Sequence, residues 1–381
     1  MPKTKKTAVV IGFGGMGSHW GRSIQKHPDW ELIGAIDTDT ELLDNIEIIT
    51  KGVLDEDSIA LSIEEFVEFV DKPDLAVVAT PIYTHHSIVR EVMDLGVNVM
   101  CEKNMASTIY QGRQMVQKAL DNPEILTGLG TQRRYGTQAW TAKKFFLQQD
   151  EEAKDVSIGK LGMIKWDDND YRGEKRWGWR RWLQEIYLED MSVHWFDTMR
   201  YVTGMDIIQV KADTFMPRYS DWHGSSEVFV QMALAKPEDY NHRHEWVWCQ
   251  FYGGWQRRGP TGQAVTFYGS DGQAIFSPWG MQCKLYVDPN DTRKFEEDGY
   301  FPQGDIENLG TTYVDHGIML EQYSRGIDDG ETECGTNFKE AFKSFAVSMA
   351  CIESSRTGET VWVPKYWADI PWYKENPSKF Y

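Results

Sequence analysis

Cysteine is scarce. Five residues (Cys101, Cys249, Cys283, Cys334, Cys351) lie far apart in a chain of 381, and none forms a CxxC pair. That excludes a disulfide scaffold and disfavours a cysteine zinc site. Positive charge is also short: 40 Lys and Arg face 58 Asp and Glu, giving a net charge of −18. A general basic surface for nucleic acid or an anionic membrane is therefore not expected. No apolar run reaches the roughly 18 residues needed to span a membrane. The opening MPKTKKTAVVIG has no apolar targeting core with a cleavage site. Repeats and low-complexity tracts are missing too. What is present is ordinary globular material, 41% hydrophobic with 33 glycines. The length predicts two domains, and a cytoplasmic location is the expectation.

The first third alternates between two periods. Apolar, β-branched runs occupy 7–12, 31–36, 74–79 and 97–101, with a weaker one at 125–129. Helix-like stretches fill the gaps near 15–27, 40–50, 62–70, 84–95 and 107–120. Such alternation predicts buried parallel strands joined by crossover helices. After about residue 135 the pattern changes. Helix-like segments near 137–149 and 181–203 flank a strand at 160–170. Strand-like runs follow at 206–215, 226–235, 245–252, 263–268 and 273–287. The expected architecture is an α/β Rossmann domain over 1–135, a parallel doubly wound sheet. An α+β domain with a mostly antiparallel open sheet follows over 136–381. The last helix, about 337–355, is a candidate to pack back on the first domain. Eleven of the 16 tryptophans fall between 140 and 280, so the second domain is the aromatic-rich one.

The sequence GFGGMG at 12–17 follows the first strand and opens a helix. Gly12 permits the tight turn, Gly14 lets a pyrophosphate approach, and Gly17 lets helix and strand pack closely. Phe13, Gly15 and Met16 complete the loop, whose backbone N–H groups suit phosphate. Asp37 ends the second strand, 20 residues beyond Gly17. Its carboxylate suits both ribose hydroxyls of an adenosine and repels a 2′-phosphate, so the predicted cofactor is NAD, not NADP. Thr80, Pro81 and His85 follow the fourth strand, and Glu102, Lys103 and Asn104 the fifth. Ligands collect beyond such strand ends. Lys103 there is a candidate to steady an alkoxide. Asp190 and His194 are four residues apart on a predicted helix, which places them on one face, with Asp197 close by. An imidazole beside a carboxylate suits general base chemistry. His242 and His244 lack a third ligand at readable spacing, so no metal is expected.

VIGFGGMGSHW, AID, VATPIYTHH and the CEKN turn, in this order, resemble the Gfo/Idh/MocA family, named for glucose–fructose oxidoreductase and inositol dehydrogenase. The family usually has Glu-Lys-Pro where this chain has Glu102-Lys103-Asn104. It commonly has Asn where Ile82 stands. The resemblance implies that Lys103, Asp190 and His194 form the catalytic group, with Asp190 orienting His194. It extends to QRRY at 132–135 and to the Trp-Arg stretch RWGWRRWL at 176–183. Arg134, Tyr135, Trp179 and Arg180 thereby become substrate-side candidates. Tyr187, in QEIYLE where the family often carries glycines, is another. The implied activity is an NAD-dependent oxidation of a secondary hydroxyl on a sugar, polyol or glycoside. Oxidation at C3 of a glucosyl unit suits the Trp-rich domain. Two other readings stay open: a redox-neutral, NAD-dependent glycosidase and a non-catalytic NAD-binding sensor or partner subunit. A homo-oligomer, dimer or tetramer, is implied as well.

Overall fold

Runs such as KTAVVI and LAVV are apolar at nearly every position because their strands are covered on both faces. Val9, Val10, Ala76 and Val77 are fully buried. The computed structural model describes residues 4–136, 139, 142–143, 157–258, 262–276, 282–288, 291–296 and 314–376. The helix expected at 137–149 falls largely outside them. Two compact units divide the chain: Met1–Gln132 with Gln303–Phe342, and Arg133–Pro302 with Lys343–Tyr381. The expected second domain, 136–381, therefore loses Gln303–Phe342 to the first unit.

In the first unit the strands are β1 Lys6–Ile11, β2 Trp30–Ile36, β3 Ile59–Ala60, β4 Leu75–Val78, β5 Asn98–Cys101 and β6 Thr127–Leu129. They form a parallel sheet ordered β3-β2-β1-β4-β5-β6. The order reverses direction between β1 and β4, which opens a crevice beyond their carboxyl ends. The crossover helices include α1 Gly15–Lys26, which follows β1 directly. The helix expected at 40–50 is two short ones, Thr40–Asp44 and Ile46–Thr50. A helix that the sequence reading did not single out, Val314–Asp329, completes this unit. The Trp30 indole donates to Leu320 O at 3.1 Å, and the Tyr323 hydroxyl to Val99 O at 2.6 Å. His316 stacks on Trp20 at 3.8 Å between ring centroids. Of the helix Phe338–Thr357, only Phe338–Phe342 belongs to this unit.

In the second unit the strands are β7 Leu161–Asn169, β8 Asp206–Phe215, β9 Glu227–Ala235, β10 Val247–Gly254, β11 Gly262–Gly269, β12 Gln273–Phe276, β13 Gln282–Asp288, β14 Asp291–Glu296 and β15 Val361–Trp362. The run expected as one strand at 273–287 is thus two. Among the described residues the sheet order is β14-β13-β12-β11-β7-β10-β9-β8-β15. Only the β7–β10 pair is parallel. One face packs on the helix Ser192–Thr203: Phe196 meets Phe251 at 5.3 Å and Trp195 meets Trp166 at 5.9 Å.

That helix is locked by buried charge. Arg134 grips Asp197 through Nε at 2.7 Å and Nη2 at 2.6 Å. Arg200 donates to Asp206 Oδ1 from Nη2 at 2.9 Å, and Lys343 donates to Asp206 Oδ2 at 2.8 Å. Burial works to raise the Asp206 carboxyl, but Lys343 and Arg200 outweigh it and hold its pKa at about 2.

Candidate active site

The glycine loop is built by steric necessity. Gly12 has φ +85°, and a Cβ there would lie 2.7 Å from Thr80 Cγ2. A Cβ on Gly17 would lie 1.9 Å from Gly12 O, so the helix could not sit against the loop. Gly14 and Gly15 instead face open space, with nothing within 4 Å of a built Cβ. Gly14 caps α1 without any side-chain hydrogen bond. First-turn N–H groups and open room above them fit a pyrophosphate. Met16 is half-buried at the start of the helix. Phe13 takes part in the loop through its backbone. Its ring is 2% exposed and packs over Gly21, so only its backbone belongs to the loop surface.

Asp37 stands at the end of β2. Its Oδ2 accepts from Phe13 N at 2.7 Å and its Oδ1 from Asp39 N at 3.0 Å. The acid that suits the ribose thus also holds the glycine loop. We expect NAD to bind at least tenfold more tightly than NADP, a gap of about 1.4 kcal/mol. Asp37→Ala should narrow that gap and weaken NAD itself, as read by fluorescence titration of both nucleotides. Equal wild-type affinities would remove Asp37 from this role.

Beyond β4 and β5 the expected residues divide into a surface set and a brace. Thr80, Pro81 and Lys103 are half-buried at the carboxyl edge of the sheet. Glu102 is 4% exposed; it accepts from the Trp20 indole at 2.8 Å and from Lys103 N at 3.2 Å. His85 is fully buried, with Nε2 2.8 Å from Thr80 O and Nδ1 2.7 Å from Asn104 O. Burial pulls the His85 pKa below its usual value, against the two carbonyls and with help from the Lys103 charge. His85 and Glu102, the other two cofactor-side candidates here, also brace the turn that carries Lys103.

The second unit carries the other candidates. The helix expected over 181–203 is broken. Gly178–Trp182 is a 3₁₀ turn, and Ile186–Asp190 and Ser192–Thr203 are separate helices. Met191 between them has φ −112°. Glu189 Oε2 accepts from the backbone of Gln184 and Glu185 at 2.9 and 2.8 Å, which closes the entry to the first helix. Asp190 ends that helix and His194 lies in the first turn of the next. Met191, which joins the two helices, keeps a right-handed helical backbone and donates its N–H to Tyr187 O at 2.9 Å. Asp190 is 1% exposed, and its Oδ2 accepts from Arg180 Nε at 2.9 Å. Arg180 also lies over the Trp179 ring, at 4.5 Å. His194 is 5% exposed, beside Trp195.

Three substrate-side candidates are buried. Arg134 is the buried partner of Asp197, and Tyr135 is 4% exposed. Tyr187 is 1% exposed and donates from its hydroxyl to Asp168 Oδ2 at 2.5 Å. Burial, reinforced by Asp168, pushes the Tyr187 hydroxyl far above its usual pKa. Asp168 was missed. It also accepts from the Trp195 indole at 2.6 Å, beside His194. Its signal was available: period two along β7 sets Asp168 in phase with the buried Ile164 and Trp166. His242 and His244 lie near Asp239 and Glu245 on the surface. Among the described residues no group of three His, Cys, Asp or Glu is placed to hold a metal. Among them, too, no helix is long and apolar enough to cross a membrane.

The first unit, with its strand order, glycine loop and terminal acid, is a dinucleotide-binding fold of the dehydrogenase type. Residues 6–128 match the model described as an oxidoreductase family with an NAD-binding Rossmann fold, GFO_IDH_MocA. An uncharacterized protein, y4oX, of Sinorhizobium fredii is 23% identical over 367 residues, covering 93% of this chain and 95% of its own. A similar fold is found in aldose-aldose oxidoreductase from Caulobacter crescentus (TM-score 0.75, 17% identity, 94% and 99% of the two chains). It is likewise found in myo-inositol 2-dehydrogenase from Lactobacillus plantarum (TM-score 0.72, 16% identity, 94% and 99%).

Proposed function

We propose that this protein is an NAD-dependent dehydrogenase that oxidises a secondary hydroxyl of a sugar, polyol or glycoside to a ketone. Carbon 3 of a glucosyl unit is the finer form of the proposal. The observation that carries it is the placement of Lys103. It stands immediately after β5, at the same carboxyl edge that presents the glycine loop, on a turn braced by Glu102 and His85. The aldose- and inositol-acting relatives of the fold support the substrate class. When bound, NAD supplies the hydride acceptor. It would be held by the Gly12–Gly17 loop, Asp37, Thr80 and Pro81.

The chain's own residues handle the proton and the charge. His194 accepts the hydroxyl proton. Lys103 offers its ammonium to the oxygen that gains negative charge. Asp190, fixed by Arg180, is the acid assigned to orient His194. The homo-oligomer we expect would use the outer face of the second sheet, where Met163 and Phe229 are 46% and 52% exposed.

The test is a panel of polyols, sugars and aryl glycosides incubated with NAD. NADH, keto-product and freed aglycone are all quantified. A ratio of NADH to product near one is expected. A ratio near zero with aglycone released identifies the redox-neutral glycosidase instead. NAD binding without any turnover identifies a sensor.

A further inference from the structure

The segment Arg172–Trp182 reads RGEKRWGWRRW. It holds five basic residues, one acid and three tryptophans, inside a chain of net charge −18. A basic island in an acidic protein concentrates anions locally. The tryptophans are not core: Trp177 is 66% and Trp182 67% exposed. Two bare indoles within six residues, rimmed by charge, form the kind of apolar patch that marks a binding surface. Gly178, at φ +74°, turns the backbone between them.

The cations are arranged, not scattered. The Arg181 guanidinium lies over the Trp182 ring at 4.7 Å. A guanidinium over an indole can still present its N–H donors to a carboxylate. Arg181 is exposed and makes no ion pair among the described residues. Its neighbour Arg180 is committed to Asp190 at 2.9 Å. The patch is therefore continuous, through one residue, with the acid assigned to the reaction.

We propose that Trp177–Trp182 is a substrate subsite for an anionic sugar, a uronic acid or its glycoside. The sugar's C–H face lies on Trp182 and its carboxylate on Arg181. This inference rests on the dehydrogenase reading and narrows its substrate class. An indole face suits the C–H patch of a pyranose, and the guanidinium edge selects the carboxylate over a neutral hydroxymethyl group.

The test titrates the NAD-loaded protein by calorimetry with methyl β-D-glucuronide and with methyl β-D-glucoside. The uronide should bind at least tenfold more tightly. Arg181→Gln should remove that preference, Arg181→Lys should restore part of it, and Trp182→Ala should weaken both sugars. Arg325→Gln makes the same charge change at an exposed residue of the first unit and should leave the preference intact. Equal binding of the two sugars overturns the proposal, as does a preference that survives Arg181→Gln. Binding of neither sugar overturns it too. So does a fall in solution mass for Arg181→Gln with uronide binding unchanged, which would make the segment a subunit contact. NADH formation is read in parallel. Turnover of neutral sugars without anion preference sinks only the subsite, whereas uronide binding without any NADH sinks only the dehydrogenase reading.

Discussion

His194→Asn is expected to slow oxidation by roughly 10²–10⁴, the usual loss when a general base is removed. Asparagine is polar and smaller, so it keeps a hydrogen-bonding group where the ring stood but cannot take the proton. The adjacent supports do not depend on the ring. Trp195 stays bonded to Asp168, and Asp197 stays gripped by Arg134. Single-turnover NADH formation, measured across pH, checks this. The wild-type profile should show an ionising group that the variant lacks. A variant with wild-type rate and profile would take His194 out of the proton path.

Lys103→Ala should lower turnover by about a hundredfold or more, the scale for losing one preorganised donor to a developing oxyanion. NAD affinity should change far less. The turn itself should persist, because its ties run through the Lys103 amide and the Asn104 carbonyl and not through the lysine side chain. Steady-state kcat and a nucleotide titration separate the two effects. If turnover survives, Lys103 is a solvated strand-end residue and the oxidation must draw on another cation.

Some of this was legible in the residues because local sterics decide it. Gly12 and Gly17 stand where a Cβ has no room, so the loop is written in glycine. The strands of the first unit are continuous apolar runs because both faces are covered, and their positions were readable. The two-residue β3 is too short to leave a pattern. The helix Val314–Asp329 buries Ile318, Met319 and Leu320 in succession, which blurs the 3.6-residue period. The break at Met191 carries no proline or glycine, so nothing in the composition announced it. Partnerships across long separations were invisible for a different reason. Arg134 and Asp197 are 63 residues apart, and no spacing rule connects them. The same holds for the brace from His85 to Asn104.

The discontinuity of the first unit bears on how the protein is made. Its sheet is finished with β6, but the Trp30 indole N–H, the Val99 carbonyl and the face of the Trp20 ring also meet Leu320, Tyr323 and His316. On the ribosome, Gln303–Phe342 follows Gln132 only after the whole stretch Arg133–Pro302 has emerged. At about 5–20 residues per second that interval is roughly 9–34 s. Through it the nascent first unit carries an uncovered indole and a sheet flank awaiting its helix. Vectorial synthesis therefore leaves it half-finished and open to chaperones, and its completion waits on Gln303–Phe342.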